Sequence, residues 1–197
     1  MTISVSSKAP SWLRLAPVLA LGALLACSDP FNVDFPRPTE PVEAALSDLV
    51  GGAVDEPSAF DVVSGRGTGL PRPVRVDQTA SWDVAFAVQN GQPVWLPRGF
   101  FPGFEDTGGI VRVQQGFDAL REAPGDRSVY EQTEPVPIET GGVYVILSRL
   151  DPTVSLPCRL FAKLEVLELT TDPTRVRFRH LWNPNCDQPN LTPGEEG

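Results

Sequence analysis

Two cysteines near the C-terminal end of the sequence frame the feature that most constrains its fold. Cys158 opens a run of alternating apolar and polar residues, and Cys186 follows the end of a second such run. A polar turn that contains a proline, Thr170–Thr174, separates the runs, as is typical of a β-hairpin. Because a hairpin brings the outer ends of its strands side by side, the sequence predicts a Cys158–Cys186 disulfide.

The alternation inside this hairpin predicts which side chains face a core. From Val176 to Trp182 every second residue is apolar or aromatic, and the residues between include Arg177 and Arg179. In the first strand the apolar parity slips at Val166–Leu167. Either a β-bulge at this point or a strand end buried on both faces explains the slip.

The first 26 residues have the pattern of a signal peptide and are excluded from the fold. Lys8 and Arg14 precede an apolar segment, Leu15–Ala26, that is too short to span a bilayer. The segment ends in Leu24-Leu25-Ala26-Cys27, which resembles the lipobox of bacterial lipoproteins. The resemblance implies cleavage before Cys27 and acylation of its sulfur. The alternative is an ordinary secretory signal followed by a chance cysteine.

The lipobox resemblance also implies a location. Several acyl chains on one residue give a durable membrane anchor, and Ser28, rather than an aspartate, after the cysteine favours the outer membrane. An exported chain meets an oxidising compartment, so Cys158 and Cys186 are expected to pair. A zinc site at these cysteines lacks partners, because the chain has one histidine.

The rest of the chain is predicted to be a tether, one domain and a tail. Residues 27–43 are proline-rich and acidic, residues 44–191 form the domain, and residues 192–197 form a frayed, disordered tail. The formal net charge of −9 argues against nucleic acid as a partner and leaves membrane attachment to the lipid.

The pattern of the domain predicts an all-β fold, a sandwich or a single twisted sheet of short antiparallel strands. The expected strands outside the hairpin are Ala59–Val63, Val74–Asp77, Ser81–Val88, Gln92–Pro97, Ile110–Gln114, Pro135–Ile138 at an edge, and Val143–Leu147. Asn90-Gly91 predicts a tight turn, and the Gly65–Gly69 cluster indicates a turn rather than a nucleotide loop. Short helical segments are expected at Ala44–Leu49 and Phe117–Glu122.

Few residues suggest chemistry. The aromatic loop with Phe100, Phe101 and Phe104 is either a contact surface for a ligand or a lid folded over the core. His180 is interpreted as a core histidine, with a role as ligand or base as the alternative. No nucleophile elbow accompanies it, so we expect no catalytic residues and no enzyme.

Four segments together resemble the HmuY-like lipoproteins, an all-β family of haem-binding and related cell-surface proteins. They are Trp82–Phe86, Gly142–Val145, Phe161–Val166 and Val176–Trp182, in the family's order and spacing. The resemblance implies a lipid-anchored β-rich domain that captures haem and passes it to an outer-membrane transporter.

The chain departs from that family at the iron ligands. Haem capture in the family uses paired histidine or methionine ligands, and His180 is the only histidine here. The only methionine is Met1, which leaves with the signal peptide. Tyr130 and Tyr144 are the other candidate ligands, and no metal site is predicted.

Three hypotheses follow from these patterns. The first is a lipid-anchored protein, facing the periplasm or the cell surface, that binds an unidentified ligand or envelope protein. The second is a haem-binding protein with non-standard ligation through Tyr130 or His180. The third is a structural envelope protein without a small ligand.

Overall fold

The regular elements among the described residues are β-strands and short 3₁₀ turns. The computed structural model describes residues 34–104, 107–151 and 158–194. The strands are β1 (Val42–Ser47), β2 (Ala59–Asp61), β3 (Arg72–Val74), β4 (Val84–Gln89), β5 (Gln92–Pro97), β6 (Gly109–Val113), β7 (Val136–Pro137), β8 (Val143–Leu147), β9 (Phe161–Thr171) and β10 (Thr174–Asn183). Turns of 3₁₀ helix lie at Val63–Gly65, Arg98–Phe100 and Arg127–Val129.

The strands form two five-stranded antiparallel sheets that pack together, which confirms the all-β prediction and selects the sandwich. The first sheet has the order β1-β10-β9-β8-β6, and the second has the order β3-β2-β4-β5-β7. The predicted edge strand at Pro135–Ile138 is β7, at the edge of the second sheet. Its prolines suit that place because they cannot donate to a further strand.

The core between the sheets is aromatic. Phe178 of the first sheet packs edge-on against Phe60 and Trp95 of the second, at centroid distances of 5.2 and 5.6 Å. Apolar residues of the same parity from β8 and β9, such as Ile146 and Leu164, complete this layer. The alternation of each strand therefore decides which residues enter the core.

Part of each outer face is covered as well. Val143, Val145 and Leu147 of β8 lie under Phe117, Leu120 and other residues of the segment between β6 and β7. The second sheet's outer face, which includes Ala85 and Leu96, is covered by the loop after β5. Burial on both faces explains why the run Val143–Leu147 is apolar throughout.

The predicted hairpin is confirmed, and of the two explanations for its slip in parity the structure shows the β-bulge. β9 and β10 pair antiparallel along their length, with Val166 opposite Phe178 and Glu168 opposite Arg177. Leu167 is the extra residue that this shift leaves without a partner, so the slip in apolar parity is a β-bulge. The Asn90-Gly91 turn is also confirmed, with φ values of 51° and 77° at these residues.

The two predicted helical segments are wrong. Within Ala44–Leu49 the chain continues β1 as far as Ser47, because it pairs with β10, Ala44 lying opposite Phe178. Phe117–Glu122 forms an irregular turn over the first sheet instead of a helix. In both places contacts with residues far along the chain override the local helical preference.

The packed body extends beyond the predicted domain boundaries. The backbone amide of Phe35 donates to the side chain of Asn185 at 2.6 Å, and the amide of Gly194 donates to the carbonyl of Pro38 at 2.8 Å. The signal peptide at 1–26 and Cys27 lie outside the described residues, as do residues 195–197. The part of the chain that the structure describes contains no helix long and apolar enough to cross a bilayer.

Candidate functional site

The aromatic loop folds back on the second sheet. Phe101 and Phe104 pack edge-on against Trp82, at centroid distances of 5.2 and 5.5 Å. The guanidinium of Arg98 lies 4.2 Å from the centroid of the Phe104 ring. Phe100 is the most exposed of the three phenylalanines, at 37%. The sequence left two interpretations of this loop, a contact surface or a lid. The structure agrees with the lid, because the loop packs against the second sheet.

His180 lies in the core between the sheets. Its side chain is 1% exposed, and its ring contacts Phe60, with centroids 4.8 Å apart, and Trp182, at 5.7 Å. Burial lowers the pKa of His180 to about 4, and its Nδ1 has no hydrogen-bond partner in the described structure. At neutral pH the imidazole is thus uncharged and shielded from solvent.

The tyrosines are equally inaccessible. The Tyr130 hydroxyl donates to the carbonyl of Pro124 at 2.9 Å, and burial raises the pKa of Tyr130. The Tyr144 hydroxyl donates to the carbonyl of Pro137 at 2.9 Å, and burial raises its pKa also. Tyr130 lies on the outer side of the first sheet, whereas His180 lies on its inner side. The structure does not bring these two candidate ligands together.

The remaining predicted site residues are the cysteines. Cys158 and Cys186 form a disulfide, with their α-carbons 5.2 Å apart, at the open end of the hairpin. The pairing inferred from the strand pattern is confirmed.

A charged cleft at one end of the sandwich was not predicted. It encloses about 580 Å³, and the residues that give it its charge are Asp61, Arg66, Arg72, Arg149 and Asp151. Asp61 ends β2, and Arg149 lies just beyond the end of β8 in the other sheet. The sheet packing therefore brings together charges that are far apart in the sequence.

Arg149 organises the buried side of this cleft. Its Nη1 lies 2.9 Å from Oδ1 of Asp61 and 3.0 Å from Oδ2 of Asp83. Asp83 also accepts hydrogen bonds from the backbone amides of Arg149 and Val62, both at 2.7 Å. Burial raises the pKa of Asp83, while the neighbouring Arg149 charge acts in the opposite direction. This buried arginine thus ties the two sheets together by charge.

A tight turn after β2 shapes the open side. The Ser64 hydroxyl bonds within the turn, to the carbonyls of Asp61 at 2.7 Å and Leu70 at 2.9 Å. The indole Nε1 of Trp182 donates to the carbonyl of Gly65 at 2.7 Å and so holds the turn to the first sheet. Arg66 follows directly, and its Nη1 lies 3.2 Å from Oδ2 of Asp151.

A weak signal for this cleft exists in the sequence. Asp61, Asp83 and Arg149 each stand within or beside a strongly apolar strand segment, where a charge is costly unless it is paired. The alternation of the local sequence predicts that Asp61 and Asp83 face solvent. Only the pairing of β2 with β4, and the packing of the sheets, shows that they are buried together.

A second, smaller cavity of about 260 Å³ lies beside Lys163. The Lys163 side chain is buried, and its Nζ donates to the carbonyls of Phe117 and Leu120, both at 2.8 Å. Burial lowers the pKa of Lys163. Because the ammonium satisfies the carbonyls of the turn that covers the first sheet, we assign it a structural role.

No metal centre is evident among residues 34–104, 107–151 and 158–194, which contain no group of three histidine, cysteine or acidic side chains placed to hold an ion. Comparison of the chain with models of known families, with curated proteins and with solved structures found no match. The cleft is therefore interpreted from its own residues.

Proposed function

We propose that this chain is a lipid-anchored binding protein of the bacterial cell envelope and that the charged cleft is its ligand site. The observation that carries the proposal is the cleft itself, which combines a volume of about 580 Å³ with charged groups from both sheets. Concave sites with a few convergent polar groups are the usual place for small ligands.

The cell-envelope location is supported by features of the sequence and the fold. The motif Leu24–Cys27 supports acylation, and the disulfide between Cys158 and Cys186 suits an oxidising compartment. The β-sandwich agrees with the fold class that the HmuY-like resemblance implies, and membership in that family stays a prediction. The outer membrane remains the proposed location.

We propose a non-catalytic role. The one histidine is enclosed between the sheets, so it does not face the cleft as a base. The cleft carboxylates Asp61 and Asp151 each lie within ion-pair distance of an arginine, which favours a fixed recognition surface over proton transfer.

Haem does not fit the residues present. Tyr130 and His180 are buried on opposite sides of the first sheet, and the Tyr130 hydroxyl is bonded to a carbonyl. We expect micromolar haemin to give no shift of the Soret band when it is titrated into the protein. A saturable shift that Tyr130→Phe or His180→Phe removes would restore the haem hypothesis.

The anchor is tested by mass spectrometry of the full chain expressed in a Gram-negative host. We expect the N-terminal residue of the membrane-bound protein to be Cys27 with a diacylglyceryl group on its sulfur. The control Cys27→Ser should remain uncleaved and unacylated. An unmodified Cys27 in the mature protein would contradict the proposal.

The site is tested with a fragment library that contains anionic, cationic and neutral compounds, screened by ligand-observed NMR. Ser81 is exposed and lines the cleft, so Ser81→Trp should fill the cleft without unfolding the protein. We expect hits that this variant no longer binds, at an unchanged melting temperature. Hits that all survive the substitution would place binding elsewhere, and an absence of hits would favour a structural envelope protein.

A further inference from the structure

We propose that the charged cleft binds the oxyanion end of a small ligand, a carboxylate or phosphate group, through the guanidinium groups of Arg66 and Arg72. This inference rests on the proposed function, because it names the class of ligand that the same cleft takes.

The arginines of the cleft differ in how many ion pairs and hydrogen bonds they already form within the protein. Arg149 is buried and shared between two aspartates, so its role is structural and it is not available to a ligand. Arg66 uses its Nη1 for Asp151, and its side chain is still about one-third exposed, at 32%. Arg72 is exposed, and its guanidinium forms no ion pair or hydrogen bond with any residue that the structure describes. The unused donors of the cleft are therefore cationic.

The acidic groups of the cleft are, in contrast, already compensated. Asp61 lies 2.9 Å from Arg149, and Asp151 lies 3.2 Å from Arg66. Both carboxylates are buried, so they present little free negative charge to a ligand. A cation would have to compete with these arginines, whereas an anion would meet the exposed guanidinium of Arg72 without displacing an ion pair.

Arg72 also contrasts with the arginines on the outer face of β10. Arg177, for example, lies between Glu43 and Glu168, at 2.9 and 3.2 Å. In a chain with a net charge of −9, an arginine has many acidic groups available for pairing. A guanidinium at the mouth of a cleft that pairs with no acidic group among the described residues is placed to attract an anion.

The uncharged residues of the cleft indicate what the ligand carries besides its oxyanion. The hydroxyls of Thr68 and Ser81 line it and donate to no group in the described ranges, so they can add hydrogen bonds to an oxyanion. Phe35 gives an apolar wall, and its backbone amide and carbonyl are both bonded to the Asn185 side chain, at 2.6 and 2.9 Å. A side-chain carbon at Gly67 would meet the Phe35 ring at 3.3 Å, which shows how closely the ring lies against this turn. The ligand that fits is an oxyanion on a compact apolar or aromatic body.

Calorimetric titration of the full chain in detergent micelles tests this inference. The probes are benzoate, phenyl phosphate and neutral benzyl alcohol, each corrected by titration into empty micelles. We expect the two anions to bind and benzyl alcohol not to bind, and the tighter anion identifies the preferred oxyanion. Arg72→Gln should weaken anion binding roughly tenfold or more, as expected when a charge-assisted hydrogen bond is lost.

The matched control is Arg121→Gln. Arg121 is also an exposed arginine, but it lines the smaller cavity, so its loss should leave anion affinity unchanged. Equal binding of benzyl alcohol, or equal affinity in Arg72→Gln, would overturn the inference. If neither anion binds while other fragments bind in a way that Ser81→Trp abolishes, the oxyanion inference fails and the proposed binding function survives.

Discussion

At the scale of single residues, the most consequential feature is the group of charges buried at one end of the sandwich. Arg149 lies within hydrogen-bond distance of both Asp61 and Asp83, so one cation is shared between two carboxylates. Replacement of a buried cation leaves carboxylates without compensation, which costs far more than breaking an exposed pair.

We expect Arg149→Met to lower the free energy of unfolding by roughly 3–5 kcal/mol, since both aspartates would then lie buried without their partner. The control is Arg112→Gln, which breaks an exposed pair with Glu139 and should cost less than about 1 kcal/mol. Chemical denaturation at pH 7 measures both values. Similar losses in the two variants would show that the buried cluster does not contribute as described.

His180 makes stability depend on pH. Its pKa in the folded protein is about 4, below the value of 6.5 that it has when exposed. The unfolded chain therefore binds a proton more readily, so stability is full above about pH 6.5 and falls as the pH decreases toward 4. The loss over this interval should be roughly 3 kcal/mol.

Urea denaturation between pH 7 and pH 5 measures this effect before most carboxylates titrate. We expect the slope of unfolding free energy against pH to be smaller in His180→Phe, which keeps an aromatic ring beside Phe60 and Trp182. Identical slopes in the wild type and this variant would contradict a histidine that is buried in its neutral form.

At the scale of elements, the hairpin β9–β10 shows how much the local pattern determines. The alternation and the cysteine positions predict the pairing and the disulfide and locate the slip that the structure shows to be a bulge, because each depends on residues within one continuous segment. The turn at Asn90-Gly91 and the buried strand β8 are predictable for the same reason.

Other elements depend on partners that the local sequence does not reveal. Ala44 to Ser47 is a strand only because β10 supplies its hydrogen bonds, more than a hundred residues later. The cleft is a stronger case: Asp61 and Arg149 come from different sheets, so their meeting depends on the topology and packing of the whole fold. The sequence therefore predicts the fold class and the hairpin, but not the candidate site.

The bulge allows a test of register. With Leu167 removed, Val166 would still face Phe178 and Glu168 would still face Arg177, so both faces of the hairpin keep their side chains. We expect the Leu167 deletion to fold, as measured by cooperative thermal unfolding. Deletion of Glu165 should prevent folding, because it moves Ala162 and Leu164 to the opposite face. Equal tolerance of both deletions would mean that strand register is not fixed by the core.

At the scale of the whole molecule, the disulfide closes the long hairpin and ties its open end to the core. The two cysteines are 28 positions apart, and Cys158 is buried in the cluster between the sheets. The unfolded chain loses conformational freedom when this loop is closed, which stabilises the folded state.

We expect the double variant Cys158→Ala/Cys186→Ala to lose roughly 3–4 kcal/mol of unfolding free energy, by the chain-entropy relation for a loop of this length. Reduction of the wild type should produce a similar loss, and the reductant should not change the double variant. Equilibrium denaturation with and without reductant provides the measurement. A wild type that is insensitive to reduction would show that the bridge contributes little.

The hydrogen bonds that join Phe35 to Asn185 limit how far the body can stand from a bilayer. Eight peptide units connect Cys27 to Phe35, and a fully extended chain of that length spans at most about 29 Å. If Cys27 carries the acyl chains, Phe35, which lines the cleft, stays within that distance of the acylated residue. The domain would then bind compounds close to the lipid surface. Its tether would be only the residues between Cys27 and Phe35, much shorter than the proline-rich segment 27–43.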